Sequence, residues 1–315
     1  MQPVSGSDMN NQFVDAQIQP FCALVEDDAT AILQFVDDRL RAGRGCALVT
    51  LVDIAGSAAR SLGTQMAVGE DGAYCGFVSG GCVEAIVAGE AMLAIAANQD
   101  RQLRLGKGSD YFDVVLPCAS SILLAIHVVR HNEALRDVLA AHQRRRAAGL
   151  AYDPVRSQLT AIAIPDHAQH GSGWDKEVFV TVYPPALRLL LCGTGLEAAM
   201  LGRVAGALGI EVVSGLDLEP VDRFSAIVML YHDLDRESRL LGEALCSAAF
   251  YVGCLGSRKT HQLRCNRLRE AGFAEEKIAA IRAPIGLFGP TRDARSLAVS
   301  ILAEIISLRN ASVSR

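Results

Sequence analysis

The chain has 315 residues, enough for about two domains at ~150 residues each. Hydrophobic residues make up 50% and charged residues 21%, which excludes a wholly disordered, collagen-like or coiled-coil protein. A net charge of −5, from 30 Lys+Arg against 35 Asp+Glu, argues against nucleic acid as the main partner, since phosphate binding needs clustered positive charge. Nine cysteines without a C-x-x-C pair give no zinc ribbon. There is no N-terminal apolar segment and no apolar run of ~18 residues, so neither export nor a membrane span is expected. The expected compartment is a reducing cytoplasm, with most thiols buried as small hydrophobes.

Residues 1–20 are polar and aperiodic and read as a flexible tail. Ile32, Leu33, Phe35, Val36 and Leu40 then share one helical face, with Asp28 as its N-cap and Gly43 as its stop. The run from Cys46 to Asp53 reads as a buried strand, and 64–68 with 73–78 as a hairpin across Gly69–Gly72. Ser79-Gly80-Gly81-Cys82 opens an Ala-rich helix from Val83, and further strands are expected at 102–105, 113–116 and 122–129. These residues, 21–132, form a first mixed α/β domain. Residues 133–183 are expected to connect it to the next. They hold a helix over 133–149 that ends in a solvated Arg144-Arg145-Arg146, and strands at 158–164 and 177–182.

From residue 184 the chain alternates strand and helix, which predicts a parallel sheet covered on both faces. Gly193-x-Gly195-x-x-Ala198 stands between a strand and a helix, and Asp217 ends the next strand about 20 residues on. That spacing suits a dinucleotide whose pyrophosphate lies on the helix N-terminus and whose ribose meets the acid. It suits equally a Rossmann fold whose glycines only make the turn. Gly256-Ser257-Arg258-Lys259-Thr260 is a second candidate anion site, or an ordinary exposed helix start. His232 falls at another strand's carboxyl end, where ligands of such sheets collect.

The Ser79–Glu84 turn offers different chemistry. Two glycines bare the backbone, and Cys82 is expected at a helix N-terminus, where the dipole favours a thiolate. A thiolate is a nucleophile and a soft metal ligand. Glu84 either completes the cap or acts as a base. Cys118, after Leu116-Pro117, is a second candidate thiol. The plain alternative for both is a cysteine in a tight turn.

Together these motifs resemble the XdhC/CoxI family, accessory proteins that mature molybdenum hydroxylases such as xanthine dehydrogenase and aldehyde oxidoreductase. Gly56-Ser57-Ala-Ala-Arg60-Ser-Leu-Gly63-Thr-Gln-Met66 is similar to its G-S-x-P-R-x-x-G-x-x-M segment, with Ala59 for the proline. Ser79–Glu84 matches S-G-G-C-V-E, and Leu116-Pro117-Cys118 resembles C-G-G with Ala119-Ser120 for the glycines. The stretches 183–195 and 251–261, Ala283-Pro-Ile-Gly286 and Ser300-Ile-Leu-Ala-Glu304 complete the likeness. Leu196 stands where the family often has His, and Leu287-Phe288-Gly289 is a shorter version of the usual loop.

The resemblance implies an N-terminal XdhC/CoxI-type domain and a C-terminal Rossmann-like domain. It implies a chaperone more than an enzyme, one that binds the molybdenum cofactor (molybdopterin or its cytosine dinucleotide). Such a chaperone presents the cofactor to a cysteine desulfurase for sulfuration and inserts it into an apo-hydroxylase, commonly as a homo-oligomer. The implied cofactor-binding residues are Arg60, Ser79, Gly80, Gly81, Cys82, Glu84, Cys118, Gly193, Gly195, Asp217, His232, Gly256, Ser257, Arg258 and Lys259, with Cys82 as a ligand of the molybdenum. Gly193, Gly195 and Asp217 keep open a nicotinamide-dependent oxidoreductase using NAD(P), and a plain scaffold joining desulfurase to hydroxylase is a third reading.

Overall fold

A computed structural model describes residues 18–109, 120–165, 171–215 and 221–313. The chain divides into two compact units. The first takes the chain up to Ala141, with Ala148–Ala163 and Ser172–Tyr183; the second takes His142–Ala147, Ile164–Gly171 and everything from Pro184.

In chain order the first unit contains β1 (Phe21–Leu24), α1 (Ala29–Arg41), β2 (Cys46–Ala55), β3 (Gln65–Gly69), β4 (Ala73–Gly76), α2 (Glu84–Ala97), β5 (Arg101–Gly106), β6 (Ser121–Val128) and α3 (Glu133–Gln143). Then come β7 (Ala148–Asp153), β8 (Gln158–Ala163), β9 (Gly173–Asp175) and β10 (Val178–Tyr183). Among the described residues they make a six-stranded sheet, ordered β1-β4-β3-β2-β6-β5, and a four-stranded sheet, ordered β8-β7-β10-β9.

Helix α1 starts where the Asp28 carboxylate accepts the Thr30 and Ala31 N–H groups, both at 2.9 Å. Ile32, Leu33 and Val36 bury its inner face with Leu48, Leu135, Val138 and Tyr183. Each such fully buried side chain contributes about 1.5–3 kcal/mol. The opposite face of the large sheet is covered by α2, whose Ala88, Ala91 and Ala94 let it lie close to Val49, Leu51 and Met66. The predicted hairpin is present as β3–β4.

Two polar clusters tie the first unit together. Asp100 accepts from Tyr152 Oη at 3.0 Å, from the Val128 N–H at 3.1 Å and from Arg130 at 3.2 Å, and it lies 2.7 Å from His127 Nδ1. Burial alone would raise its pKa, but the bond and charge of His127, with the Val128 and Tyr152 bonds, outweigh burial and hold it down at about 2. Trp174 donates its indole N–H to the Val52 carbonyl at 2.9 Å, at the irregularity where β2 slips its register with β6, and stands edge-on to Phe179.

The sequence places a helix over 133–149, but α3 ends at Gln143 and Gly149 lies inside β7. The reason is Arg145, which turns left-handed at φ 54. Its guanidinium donates to Asp222 at 2.6 and 3.0 Å and to the Ala186 carbonyl at 3.1 Å. Arg145 is therefore a tether within the second unit, and the solvated helix end read for Arg144–Arg146 is corrected at this residue. Residues 133–141, 148–163 and 172–183 pack with the first unit. The expected strand at 113–116 lies outside the described residues.

The second unit contains β11 (Arg188–Cys192), α4 (Leu196–Ala207), β12 (Glu211–Ser214), β13 (Ser225–Met229), α5 (Leu234–Cys246), β14 (Tyr251–Cys254), α6 (Arg258–Glu270), α7 (Glu275–Ala279) and α8 (Ala294–Val313). Its strands pair in parallel in the order β12-β11-β13-β14. Both faces are buried, as the continuous apolar runs predict. Leu189 and Leu191 face α4 and α8, while Leu190, Ile227 and Met229 face α5 and α6. Arg264 of α6 forms a buried ion pair with Glu237 of α5 and donates to the Leu255 carbonyl at 2.8 Å.

Candidate functional site

Within the first unit the structure brings together Arg60, Ser79, Gly80, Gly81, Cys82 and Glu84. The turn they form is organised by Glu84, the first residue of α2, which is 1% exposed. Its carboxylate folds back to accept the Ser79 N–H at 2.8 Å and the Val83 N–H at 3.1 Å. It also accepts the Ser79 hydroxyl at 2.8 Å, and that hydroxyl accepts the Gly81 N–H at 3.2 Å. Of the two roles open to Glu84, it fills the cap.

Three N–H groups that the sequence offers to an anion are thus consumed inside the turn. Cys82 precedes the capping residue Val83 and is exposed, so the thiol stands outside the first helical turn. The turn is open above: a side chain at Gly80 or Gly81 would meet nothing within 4 Å. Arg60 donates to the Ser79 carbonyl at 3.3 Å and to Asp27 at 3.1 Å. Cys118 lies outside the described residues.

The other described thiols divide sharply. Cys46, Cys75, Cys192 and Cys254 are buried, and burial pushes Cys192 and Cys254 up to about 12. Cys246 is exposed, and Cys265 is half-buried at 3.6 Å from His261 Nε2. The reading of these thiols as core residues is corrected for Cys246; Cys265 packs against the core of the second unit while half-buried, and Cys22 is half-buried as well. His127, buried on Asp100, is structural, and among the described residues no group of three or more His, Cys, Asp or Glu is arranged to hold a metal ion.

In the second unit the candidates gather at the carboxyl end of the parallel sheet. Gly193 follows β11 at φ +132, and a Cβ there would lie 2.8 Å from the Leu230 carbonyl oxygen, so only glycine fits. Gly195 caps α4, and Leu196 beside it is 63% exposed. His232 follows β13 and is exposed. Gly256 follows β14 at φ +131, and Ser257 caps α6 by accepting the Thr260 N–H at 3.1 Å. Arg258 and Lys259 are exposed on the first turn of α6, with no ion pair among the described residues. Asp217 lies outside the described residues.

One element of this edge goes beyond the sequence reading. Residues 282–285 run beside β14, with Arg282 bridged in parallel to Gly253. The chain then turns at Gly286 towards α8. Gly286 donates to Glu304 at 2.9 Å, and Ser300 holds Phe288. The paired motifs at 283–286 and 300–304 were the available signal, and their mutual bonding is the part that needed the fold.

Family models match both units: the XdhC and CoxI family over residues 39–106 and the XdhC Rossmann domain over 189–305. The chain is 43% identical over 297 residues, 92% of each protein, to the molybdenum cofactor insertion chaperone PaoD of Escherichia coli K12. The chain belongs to the XdhC and CoxI family. A second E. coli K12 relative of this XdhC/CoxI chain, the uncharacterized protein YqeB, is 29% identical over 274 residues, 84% of this chain and 43% of YqeB. A crystal structure described as a xanthine dehydrogenase (BH1974) from Bacillus halodurans shares the fold, with TM-score 0.69 at 18% identity over 89% of this chain and 96% of that one. The α/β class, with a Rossmann domain in the second unit, is as the sequence predicts. No helix among the described residues is long and apolar enough to cross a membrane.

Proposed function

We propose that this chain is a chaperone for the molybdenum cofactor. It binds the pterin cofactor as cargo, holds it while a cysteine desulfurase supplies sulfur, and inserts it into an apo molybdenum hydroxylase. The observation that carries this reading is the end-to-end 43% identity to a molybdenum cofactor insertion chaperone.

The residues present suit the cargo. Cys82 is an exposed soft donor over an open glycine turn, suited to a molybdenum centre or its exchangeable sulfur. Gly193, Gly195, Gly256 and Ser257 place helix starts, and Arg258 and Lys259 exposed cations, where the phosphate or pyrophosphate of the cargo would be neutralised. The cargo carries the redox chemistry; the chain supplies binding and protection.

The test is extraction and mass measurement of whatever copurifies with the full-length protein, followed by reconstitution of an apo-hydroxylase. A bound pterin that activates the apo-enzyme is the expected result. Reduction of a substrate with NAD(P)H and no bound pterin would overturn the reading in favour of a nicotinamide oxidoreductase.

A further inference from the structure

The loop at 286–289, which follows the segment bridged to β14, is built unlike an ordinary surface loop. Leu287 donates its N–H to the Ser300 carbonyl at 3.0 Å. Phe288 donates its N–H to Ser300 Oγ at 3.0 Å, and the same hydroxyl donates to the Phe288 carbonyl at 2.6 Å. Gly286 donates to Glu304, which Tyr251 also binds at 2.6 Å. Ser300 and Tyr251 are buried. At Gly286, φ is +109 and a Cβ would fall 2.5 Å from Ser300 Oγ, so this path requires glycine.

The backbone is thus pinned at three successive residues, yet the side chains it carries point outward. Leu287 is 60% exposed and Phe288 52%. Holding two large apolar groups in water on a fixed backbone gains nothing for folding, and it removes the ordering cost of a later contact.

The place is informative. Ile285 donates to the Cys254 carbonyl at 3.3 Å, so the two segments leave the sheet side by side. One continues into Gly256-Ser257-Arg258-Lys259 and the other into Gly286-Leu287-Phe288. Two exposed cations, with no ion pair among the described residues, and an aromatic on a pinned backbone therefore emerge at one end of one sheet, from β14 and from the segment bridged to it. Two side chains cover a fused ring, but they fall far short of the ~1,200 Å² that a stable protein interface buries.

We infer that Phe288, with Leu287, is the stacking platform for a planar nitrogen heterocycle whose attached phosphates lie at the Gly256–Lys259 turn. This rests on the cofactor-binding reading above and adds the residue that recognises the ring. A pterin and a nucleobase share that chemistry.

The test is calorimetry of the full chain with three kinds of probe: inorganic pyrophosphate, 6-hydroxymethylpterin diphosphate, and the nucleotides CDP and GDP. Ring-bearing diphosphates should bind about tenfold tighter than pyrophosphate, the gain expected of one ring on one aromatic face. Phe288→Ala should erase that gain and leave pyrophosphate binding unchanged, and Phe288→Trp should restore it. Preference for the pterin or for a nucleotide tells which ring the platform takes. Equal binding of ring-bearing probes by wild type and Phe288→Ala overturns the platform and leaves the phosphate turn standing. Failure of wild type to bind any probe, pyrophosphate included, overturns the phosphate turn and the platform together. Full ring binding by Phe288→Ala alongside lost hydroxylase activation would assign the loop to protein docking instead, and likewise overturn it.

Discussion

The Ser79–Glu84 turn and the Gly256–Thr260 turn occupy equivalent local positions, small residues between a strand and a helix, yet they are opposite kinds of site. In the first, a buried glutamate folds back and fills the nest of N–H groups, leaving one thiol outside. In the second, the Ser257 hydroxyl meets the Thr260 N–H and hydroxyl, and two exposed cations have no ion pair among the described residues. A glycine-rich strand-to-helix turn therefore keeps its N–H groups free only where no acid at the first helical position reaches back into it.

The largest expected effect tests the filled turn. Glu84→Ala should cost about 3 kcal/mol, because three buried donors lose a charged acceptor at once. Glu84→Gln should recover part of that, as read by denaturant unfolding. If Glu84→Ala is as stable as wild type, the turn is not held by its carboxylate.

A control lies away from both turns. Asp100 has its pKa depressed from 3.8 to about 2, so its contribution to stability is fully present above pH ~4 and is lost as pH falls through ~2. The shift corresponds to roughly 2 kcal/mol. Asp100→Asn should flatten the stability profile across that window, and an unchanged slope would remove Asp100 as its source.

The open turn is expected to respond more weakly. Ser257→Ala removes a helix cap and should cost about 1 kcal/mol, visible as a small drop in melting temperature. Arg258→Ala with Lys259→Ala should change stability by less than about 1 kcal/mol while weakening pyrophosphate binding several-fold. Equal loss of both would mean the pair is structural.

The smallest effect on folding belongs to Cys82→Ser, within about 0.5 kcal/mol because the side chain is exposed. Its consequence should fall on the cargo, with the client hydroxylase left inactive. Thiol labelling of native protein should modify Cys82 and Cys246 quickly and spare buried Cys192. Full client activation by Cys82→Ser would leave the turn a structural corner.

The second unit was readable because parallel strands buried on both faces appear as unbroken apolar runs such as Leu189–Cys192, bounded by glycines with one permitted geometry. The sheet β8-β7-β10-β9 was harder. Its β8 and β10 fall on the strands expected at 158–164 and 177–182, but no strand is expected at β7 or β9, and its register joins residues far apart in sequence, as Tyr152 with Phe179. The overlong helix at 133–149 failed for a similar reason. Ala147 and Ala148 suit a helix, but the acid that pulls Arg145 out of it lies 77 residues on. At the site, the residue types were legible and their bonds were not. Glu84 could be seen as cap or base, and only the fold shows its carboxylate accepting from Ser79 and Val83.

Trp174 is the only tryptophan in the chain, half-exposed, with its indole bonded to the bulged strand of the first unit. Its emission is therefore a private optical channel for that unit. Unfolding followed by tryptophan fluorescence reports the first unit alone, whereas far-ultraviolet dichroism sums over both. Superimposable curves would mean the two halves melt as one; a fluorescence midpoint displaced from the dichroism midpoint would give the first unit a stability of its own, without cutting the chain.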